Sequence, residues 1–226
     1  MKNVRSTLCL MPLLLLGLYS GVRGAKLQET LRQPSLLVRA FVNAEAAPTW
    51  RPDRNAILLA RKLLKSRSPG AMDRAASHYC LAMANLDRES NVTGMVKWSL
   101  RTGPGETEFD DGRSALPDAL GNLFLKWRSR AAALAIVSHE LDGASGEMLG
   151  MVRLEAFVAE PRLIAQAWRS ARSGKAYLPD QLAEEASDDA EFRRSFMTDL
   201  HSPDPALRAL ARAVVERLRR HKRSRR

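Results

Sequence analysis

The fold class is decided by residues 71–86, which read AMDRAASHYCLAMANL. Apolar side chains recur along this stretch every three or four residues: Met72, Ala75, Ala76, Tyr79, Cys80 and Met83. The opposite side carries the polar side chains Arg74, Ser77, His78, Asn85 and Arg88. This period predicts an amphipathic α-helix. The helix would turn Cys80 toward the core and His78 toward solvent, so a Cys–His catalytic pair is not expected within it.

Most of the chain outside this stretch shows the same helical period. Asp53 is suited to cap one of the predicted helices, and Pro117 suits the first turn of another. Pro161 interrupts a third apolar pattern and divides it into two helices. The further helix candidates contain residues 57–64, 116–142, 146–160, 163–168 and 179–188.

Only one stretch favours a strand. Val96, Trp98 and Leu100 alternate with polar residues, which is the two-residue period of a half-buried strand. The sequence offers no obvious pairing partner for it. We therefore expect at most one short strand, near residues 95–101.

The last helical unit, residues 196–218, reads FMTDLHSPDPALRALARAVVERL and resembles a HEAT-type repeat. In such repeats a first helix ends in Asp-Leu, here residues 199–200, and a Pro/Asp-rich link follows, here residues 202–205. An aliphatic–Arg pair, Leu207-Arg208, then opens the second helix. The resemblance covers about a tenth of the chain, and it implies a helical binding surface and no reaction.

The residues of this unit also support a helical hairpin without the resemblance. Ser202 is placed to cap the second helix, with Pro203 at its first position. Arg212 and Glu216 are spaced for an ion pair. Together these patterns predict an all-α protein, either an irregular helical bundle or a short HEAT-like α-solenoid.

The charge of the chain is concentrated at its two ends. The 226 residues carry 36 Lys and Arg against 25 Asp and Glu, a formal net charge of +11. Residues 1–24 contain three of the basic side chains and no acid, and residues 217–226 contain seven and no acid. The remaining chain is nearly neutral. A basic nucleic-acid-binding domain is therefore not what the composition favours, and an apolar content of 45% excludes a disordered chain.

The N-terminus reads as a secretory signal. Lys2 and Arg5 precede an apolar run at residues 8–18, and cleavage is expected after Gly24. An uncleaved anchor and a buried helix are the alternatives. Cleavage would place the protein outside the cytoplasm, secreted or periplasmic, with Cys80 as its single cysteine and no internal disulfide. In a eukaryotic secretory pathway, the Asn-Val-Thr sequon would make Asn91 a candidate site of N-glycosylation.

Candidate catalytic residues are few. The acidic loop at residues 102–114 and the end of the long helix candidate supply carboxylates that could act as a general acid and base: Glu106, Glu108, Asp110, Asp111 and Glu140. A calcium loop starting at Glu106 would need Gly at residue 111 and Glu at residue 117, and it has Asp and Pro. A zinc-protease helix at His139 would need a second His at residue 143, which is Gly. We expect no metal site and no cofactor.

The basic tail is the strongest signal of binding. We expect it to be disordered over residues 219–226 and to contact an anionic partner through its cations: Arg217, Arg219, Arg220, Lys222, Arg223, Arg225 and Arg226. No aromatic residue in this stretch could stack on nucleic-acid bases.

The predicted organisation is a signal peptide (1–24), an N-terminal helical half (25–101), the acidic loop (102–114), a C-terminal helical half (115–218) and the tail. The leading hypothesis is an exported, non-enzymatic interaction or scaffold protein. One alternative is an exported helical hydrolase that acts on an envelope or extracellular polymer through carboxylates. The other is a nucleic-acid-associated protein whose N-terminus is not a signal.

Overall fold

The structure is a computed structural model that describes residues 35–45, 48–103 and 111–224, with the side chains of residues 221–224 excepted. The chain divides into two units, Met1–Ser35 and Leu36–Arg226, and the fold below is that of the second unit. The predicted signal peptide and three of the candidate acids, Glu106, Glu108 and Asp110, lie outside the described residues.

The described part of the chain consists of helices and connections, with no strand. Its eleven helices, numbered here α1 to α11, are Leu36–Val42, Arg54–Lys65, Ala71–Met83, Arg88–Ser99, Gly112–Trp127, Arg130–Ser138, Gly143–Ala159, Pro161–Ser170, Tyr177–Asp188, Ala190–Asp199 and Pro205–Ser224. The prediction of an all-α fold is confirmed.

The expected strand near residues 95–101 is wrong, because these residues continue and end helix α4. The buried side chains of α4 follow a helical period, from Val92 through Met95 and Val96 to Ser99. Trp98 is only partly buried, and the guanidinium groups of Arg74 and Arg101 each lie 4.8 Å from its ring centre. The apparent alternation therefore consists of a core residue, Val96, and a partly buried tryptophan whose ring contacts two cations.

The predicted long helix at residues 116–142 is two helices, α5 and α6. Arg128 takes a left-handed conformation with φ of 52° and ends α5. Ser129 then starts α6, since its hydroxyl accepts a hydrogen bond from the Ala132 N–H at 3.2 Å. Apolar periodicity continues across this junction and so hid the break from the sequence pattern.

Glu89 of α4 completes the cap of α6 from outside that helix. Its carboxylate accepts the Ala131 N–H at 2.6 Å and the Ser129 hydroxyl at 3.0 Å. Partial burial acts to raise the pKa of Glu89, but these donors and Arg88 outweigh it and hold the pKa below its usual value. The ionised form is thus the one that the folded state favours.

We expect Glu89→Gln to lower the free energy of unfolding by about 1 kcal/mol at neutral pH, the usual size of a capping contribution. Because the folded pKa lies below the unfolded one, this stability is present above the unfolded pKa and is lost as the pH falls through the folded pKa. Thermal unfolding of both proteins at pH 7 and pH 3 checks this, with exposed Glu185→Gln as the control. A difference that stays constant with pH would contradict the assignment.

The helices pack in two facing rows. Helices α5, α7 and α9 lie side by side in one row, and α4, α6, α8 and α11 form the other. The rows face each other because α5 packs on α6, α7 on α8, and α9 on α11. Helix α3 packs along α4 at one end, and α10 closes the other end against α9 and α11. Stacked helical pairs of this kind are the arrangement of short α-solenoids.

The helix at residues 71–83 confirms part of the pattern that predicted it. Tyr79, Cys80 and Met83 are buried in the core as expected. His78 is not in open solvent, since its ring is half-buried against α4 and its Nδ1 lies 2.7 Å from the Asn91 amide oxygen. A Cβ on Gly94 would lie 2.6 Å from this ring, so glycine makes room for it.

The contact with His78 also bears on whether the sequon at Asn91 can carry a glycan. Asn91 is 8% exposed, and its amide nitrogen donates to the Leu86 carbonyl at 2.8 Å. Both ends of the amide therefore have protein partners. A glycan on Asn91 is incompatible with this packing.

The C-terminal hairpin at residues 196–218 is confirmed as two helices, but its cap differs from the expected one. Asp204, rather than Ser202, caps α11, accepting the Ala206 N–H at 2.7 Å and the Leu207 N–H at 3.1 Å. Pro205 then occupies the first helical position instead of Pro203. Asp is as good a cap as Ser, so a cap two residues later is equally compatible with the sequence.

Helix α11 is longer than the sequence suggested. It runs to Ser224, six residues past Leu218, where disorder was expected to begin. Arg and Lys are good helix formers, and cations are favoured at the C-terminal end of a helix. Glu216 forms an ion pair with Arg220 one turn later instead of the expected pair with Arg212.

Candidate functional site

A groove between α10 and α11 is the most distinctive binding surface in the described part of the chain. This basic groove has a volume of about 270 Å³ and is lined by Arg193, Arg194, Met197, Val215, Leu218 and Arg219. Its floor is apolar and half of its lining side chains are arginines.

The two helices reach the groove through matching faces. On α10, Arg193, Arg194 and Met197 lie within four residues and so share one side of the helix. Phe196, one helical turn after Arg193, instead lies in the core, where it stacks on Phe157 of α7 with ring centres 5.5 Å apart. Met197 is 50% exposed, which is unusual for so large an apolar side chain.

The groove continues along α11 into a second hollow. This hollow, of about 330 Å³, shares Val215 and Arg219 with the basic groove and adds Leu200, Arg212 and Glu216. The carboxylate of Glu216 is already neutralised by Arg220. The surface along α10 and α11 is therefore apolar at its base and cationic at its edges.

The cations predicted to bind a partner differ in whether they already form ion pairs within the fold. Arg219 lines both hollows. Arg217 is engaged within the fold, in an ion pair with Asp180 of α9 and a hydrogen bond to the Ala213 carbonyl at 3.2 Å. Arg220 is paired with Glu216. Residues 222 and 223 lie on the last turn of α11, and Arg225 and Arg226 lie outside the described residues.

Sequence reasoning missed Arg193, Arg194 and Met197. The sequence pattern is ambiguous here, since Arg193 lies one helical turn before both Phe196 and Met197 and could share a face with either. Residues 184–194 carry five acids and only these two arginines, so the composition of this region does not suggest part of a basic surface.

The structure brings two of the candidate catalytic acids into one cleft. Asp111 and Glu140 both line a cleft of about 310 Å³, together with Asp142 and Arg113. Asp111 caps α5, accepting the Arg113 N–H at 2.9 Å and the Ser114 hydroxyl at 2.6 Å. Glu140 is exposed and accepts the hydroxyl of Tyr177, and this hydrogen bond raises the pKa of Tyr177. Both carboxylates thus have structural partners.

The other reactive side chains are placed for structure. Burial, with a smaller contribution from Asp53, raises the pKa of the Cys80 thiol to about 12, so it is held as an unreactive thiol. His139 follows α6, with its Nδ1 3.1 Å from the Ala135 carbonyl oxygen. Among the described residues, His, Cys, Asp and Glu form no group of three that could hold a metal ion.

None of the helices that the structure describes combines the length and apolar character needed to cross a bilayer. Comparisons with protein-family models, with curated proteins and with solved structures find no match for this chain.

Proposed function

We propose that this chain is an exported, non-enzymatic interaction protein that binds an acidic protein surface through its C-terminal hairpin. The observation that carries the proposal is the basic groove between α10 and α11, in which three arginines border an apolar floor and one wall belongs to the helix that carries the basic tail. Export rests on the charge and apolar pattern of residues 1–24.

The shape of the groove favours a protein partner over a flat lipid surface. A hollow of about 270 Å³ is at the small end of the range for small-molecule sites, and it suits one or two inserted apolar side chains. The arginines at its edge would then pair with carboxylates around that anchor. Interfaces commonly combine a buried apolar anchor with Arg in this way.

The helical tail supports the same function. It extends the cationic surface of α11 by one and a half turns beyond Leu218. Cations in an ordered helix can add long-range attraction that speeds association with an acidic partner. The hydrolase alternative receives less support, because Asp111 and Glu140 are engaged in a helix cap and a tyrosine contact.

We expect removal of residues 219–226 to weaken binding of poly-L-glutamate about tenfold at low salt and to flatten its salt dependence, since fewer ionic contacts remain to be screened. The cut follows Leu218 because Leu218 is buried and Arg217 pairs with Asp180. Isothermal titration calorimetry measures the effect at about 50 mM and 300 mM salt, which lie below and above physiological ionic strength.

A full-length variant in which every Arg and Lys of residues 219–226 is replaced by Gln keeps the length of the helix and serves as the matched comparison. It should behave like the truncated chain. Equal binding by wild type and truncated protein at low salt would remove the tail from the function.

A further inference from the structure

A second surface of the molecule is complementary to the basic groove. Three large apolar side chains of α5 and α7 are exposed: Leu125 (44%), Met151 (52%) and Val158 (69%). Met151 and Val158 are seven residues apart, so they lie on one side of α7. Exposed apolar side chains grouped in this way are typical of a contact surface.

The same surface is acidic. Helices α5 and α7 meet where Gly121 faces Val152, and one turn from this contact Asp118 of α5 interacts with Glu155 of α7. Burial, together with the neighbouring charges of Glu45 and Glu155, raises the pKa of Asp118. Glu45 and Glu155 thus each lie within electrostatic range of Asp118, and the surface around Asp118 has a negative potential. We call the surface formed by Glu45, Asp118, Leu125, Met151, Glu155 and Val158 the acidic face.

The two cations next to Leu125, Lys126 and Arg128, do not neutralise this surface. Arg128 donates to the Leu125 carbonyl at 2.6 Å, but its charge is paired with that of Glu160 at 2.8 Å. Lys126 donates a hydrogen bond to the Trp50 carbonyl oxygen, 3.1 Å away. Burial and the nearby charge of Arg51 lower the pKa of Lys126, and no acid of the face acts on it. The acidic face therefore keeps its excess of negative charge.

The two surfaces match in length and in chemistry. On α7 the acidic face extends from Met151 to Val158, and on α11 the basic surface extends from Arg212 to Arg219. Each stretch covers eight residues, whose ends are about 10 Å apart along the helix axis. Each has apolar side chains flanked by charges, and the charges have opposite sign.

We propose that the basic groove of one copy of this chain docks on the acidic face of a second copy. The inference rests on the proposed function, since it names the acidic protein surface that the groove would bind. An exposed apolar side chain of the acidic face would enter the groove, while Glu155 and its neighbours would lie against Arg193, Arg194 and Arg219. Because the contact joins two different surfaces, each copy keeps one free surface of each kind. Such heterologous contacts build rings or open chains instead of symmetric dimers.

The test is sedimentation velocity of the full chain across a concentration series, with a charge swap between the two surfaces. Arg194→Glu and Glu155→Arg should each lower the self-association constant at least tenfold, because each places like charges in contact. The double variant, which restores opposite charges in the reversed sense, should return the constant to within about threefold of wild type. Both positions are exposed, so circular dichroism should show an unchanged fold.

Arg61→Glu on α2 is the matched control, since it makes the same change of charge at an exposed position outside both surfaces. It should self-associate like wild type. Each variant carries the same N-terminal residues, so a difference between them reports on the two surfaces. Equal weakening by the control, or a double variant no stronger than the single ones, would overturn the proposal.

Poly-L-glutamate binding separates this proposal from the proposed function. Glu155→Arg should lose self-association and keep poly-L-glutamate binding, whereas Arg194→Glu should lose both. A wild-type chain that is monomeric up to about 100 µM but binds poly-L-glutamate through the groove would overturn self-docking and leave the function standing. If the wild-type chain is a monomer that binds phosphatidylglycerol vesicles instead of poly-L-glutamate, the groove binds a lipid surface. That result would overturn both self-docking and the proposed function.

Discussion

Phe196→Ala is expected to lower the free energy of unfolding by about 3–5 kcal/mol, the cost of removing a fully enclosed aromatic side chain from a core. Phe196 is completely buried on α10. Its ring stacks on Phe157 and meets Phe192 edge-on, with ring centres 5.5 Å and 5.1 Å away. The three rings join α10 to α7, so the cavity would open at the base of the helix that carries half of the basic groove.

Thermal unfolding measures this effect. For a domain of this size, about 1 kcal/mol corresponds to 2–4 °C, so the melting temperature should fall by roughly 6–20 °C. Phe192→Ala is the comparison, because Phe192 is only partly buried and contacts the same two rings. Its effect should be smaller. A Phe196→Ala protein that melts within about 2 °C of wild type would contradict the packing described here.

The second large effect is expected at Arg153, a buried guanidinium in α7. Arg153 is 7% exposed, and its Nε donates to the Ile136 carbonyl at 2.9 Å while its terminal nitrogen donates to the His139 carbonyl. These carbonyls belong to the end of α6 and the residue that follows it. Arg153 thus supplies donors that the last turn of a helix lacks. Its guanidinium also lies 5.7 Å from the ring centre of Tyr177.

Arg153→Met should cost about 3 kcal/mol, since it keeps most of the side-chain volume but leaves two enclosed carbonyls without donors. Arg153→Lys should cost less than Met, although one ammonium cannot reproduce the planar pair of donors. Urea unfolding of both variants gives the free energies. If Arg153→Met and Arg153→Lys had the same free energy of unfolding, the contribution of Arg153 would come from packing alone.

Much of the fold was predictable from local patterns. The cap at Asp53, the break at Pro161 and the apolar side of residues 71–83 each depend on neighbours within a few positions, and each is confirmed. These features use short-range physics that the sequence displays directly.

The errors came from features decided by tertiary contacts. The break at Arg128 is fixed by Glu89, which lies 40 residues away from Ser129 along the chain and caps α6 from α4. Likewise, Trp98 completes an apparent alternation although it is only partly buried, and the guanidinium of Arg74 from helix α3 lies over its ring. No local period contains such partners.

The candidate site was half predictable. The basic end of the chain is evident from composition, and Arg219 does line the groove. The contribution of α10 could not be derived, because which side of that helix meets Phe157 depends on how α7 and α10 pack. The engagement of Arg217 by Asp180 likewise depends on the contact between α9 and α11.

The continuation of α11 to Ser224 also affects how readily proteases cleave the basic end of the chain. Proteases that cut after Arg or Lys bind their substrates as extended chains, and exposed, unstructured basic ends are where nicking concentrates. In α11 the peptide bonds after Arg219, Arg220, Lys222 and Arg223 belong to hydrogen-bonded helix. Each must unwind before it can be cleaved, so cleavage within this basic cluster should be slower than in an extended chain.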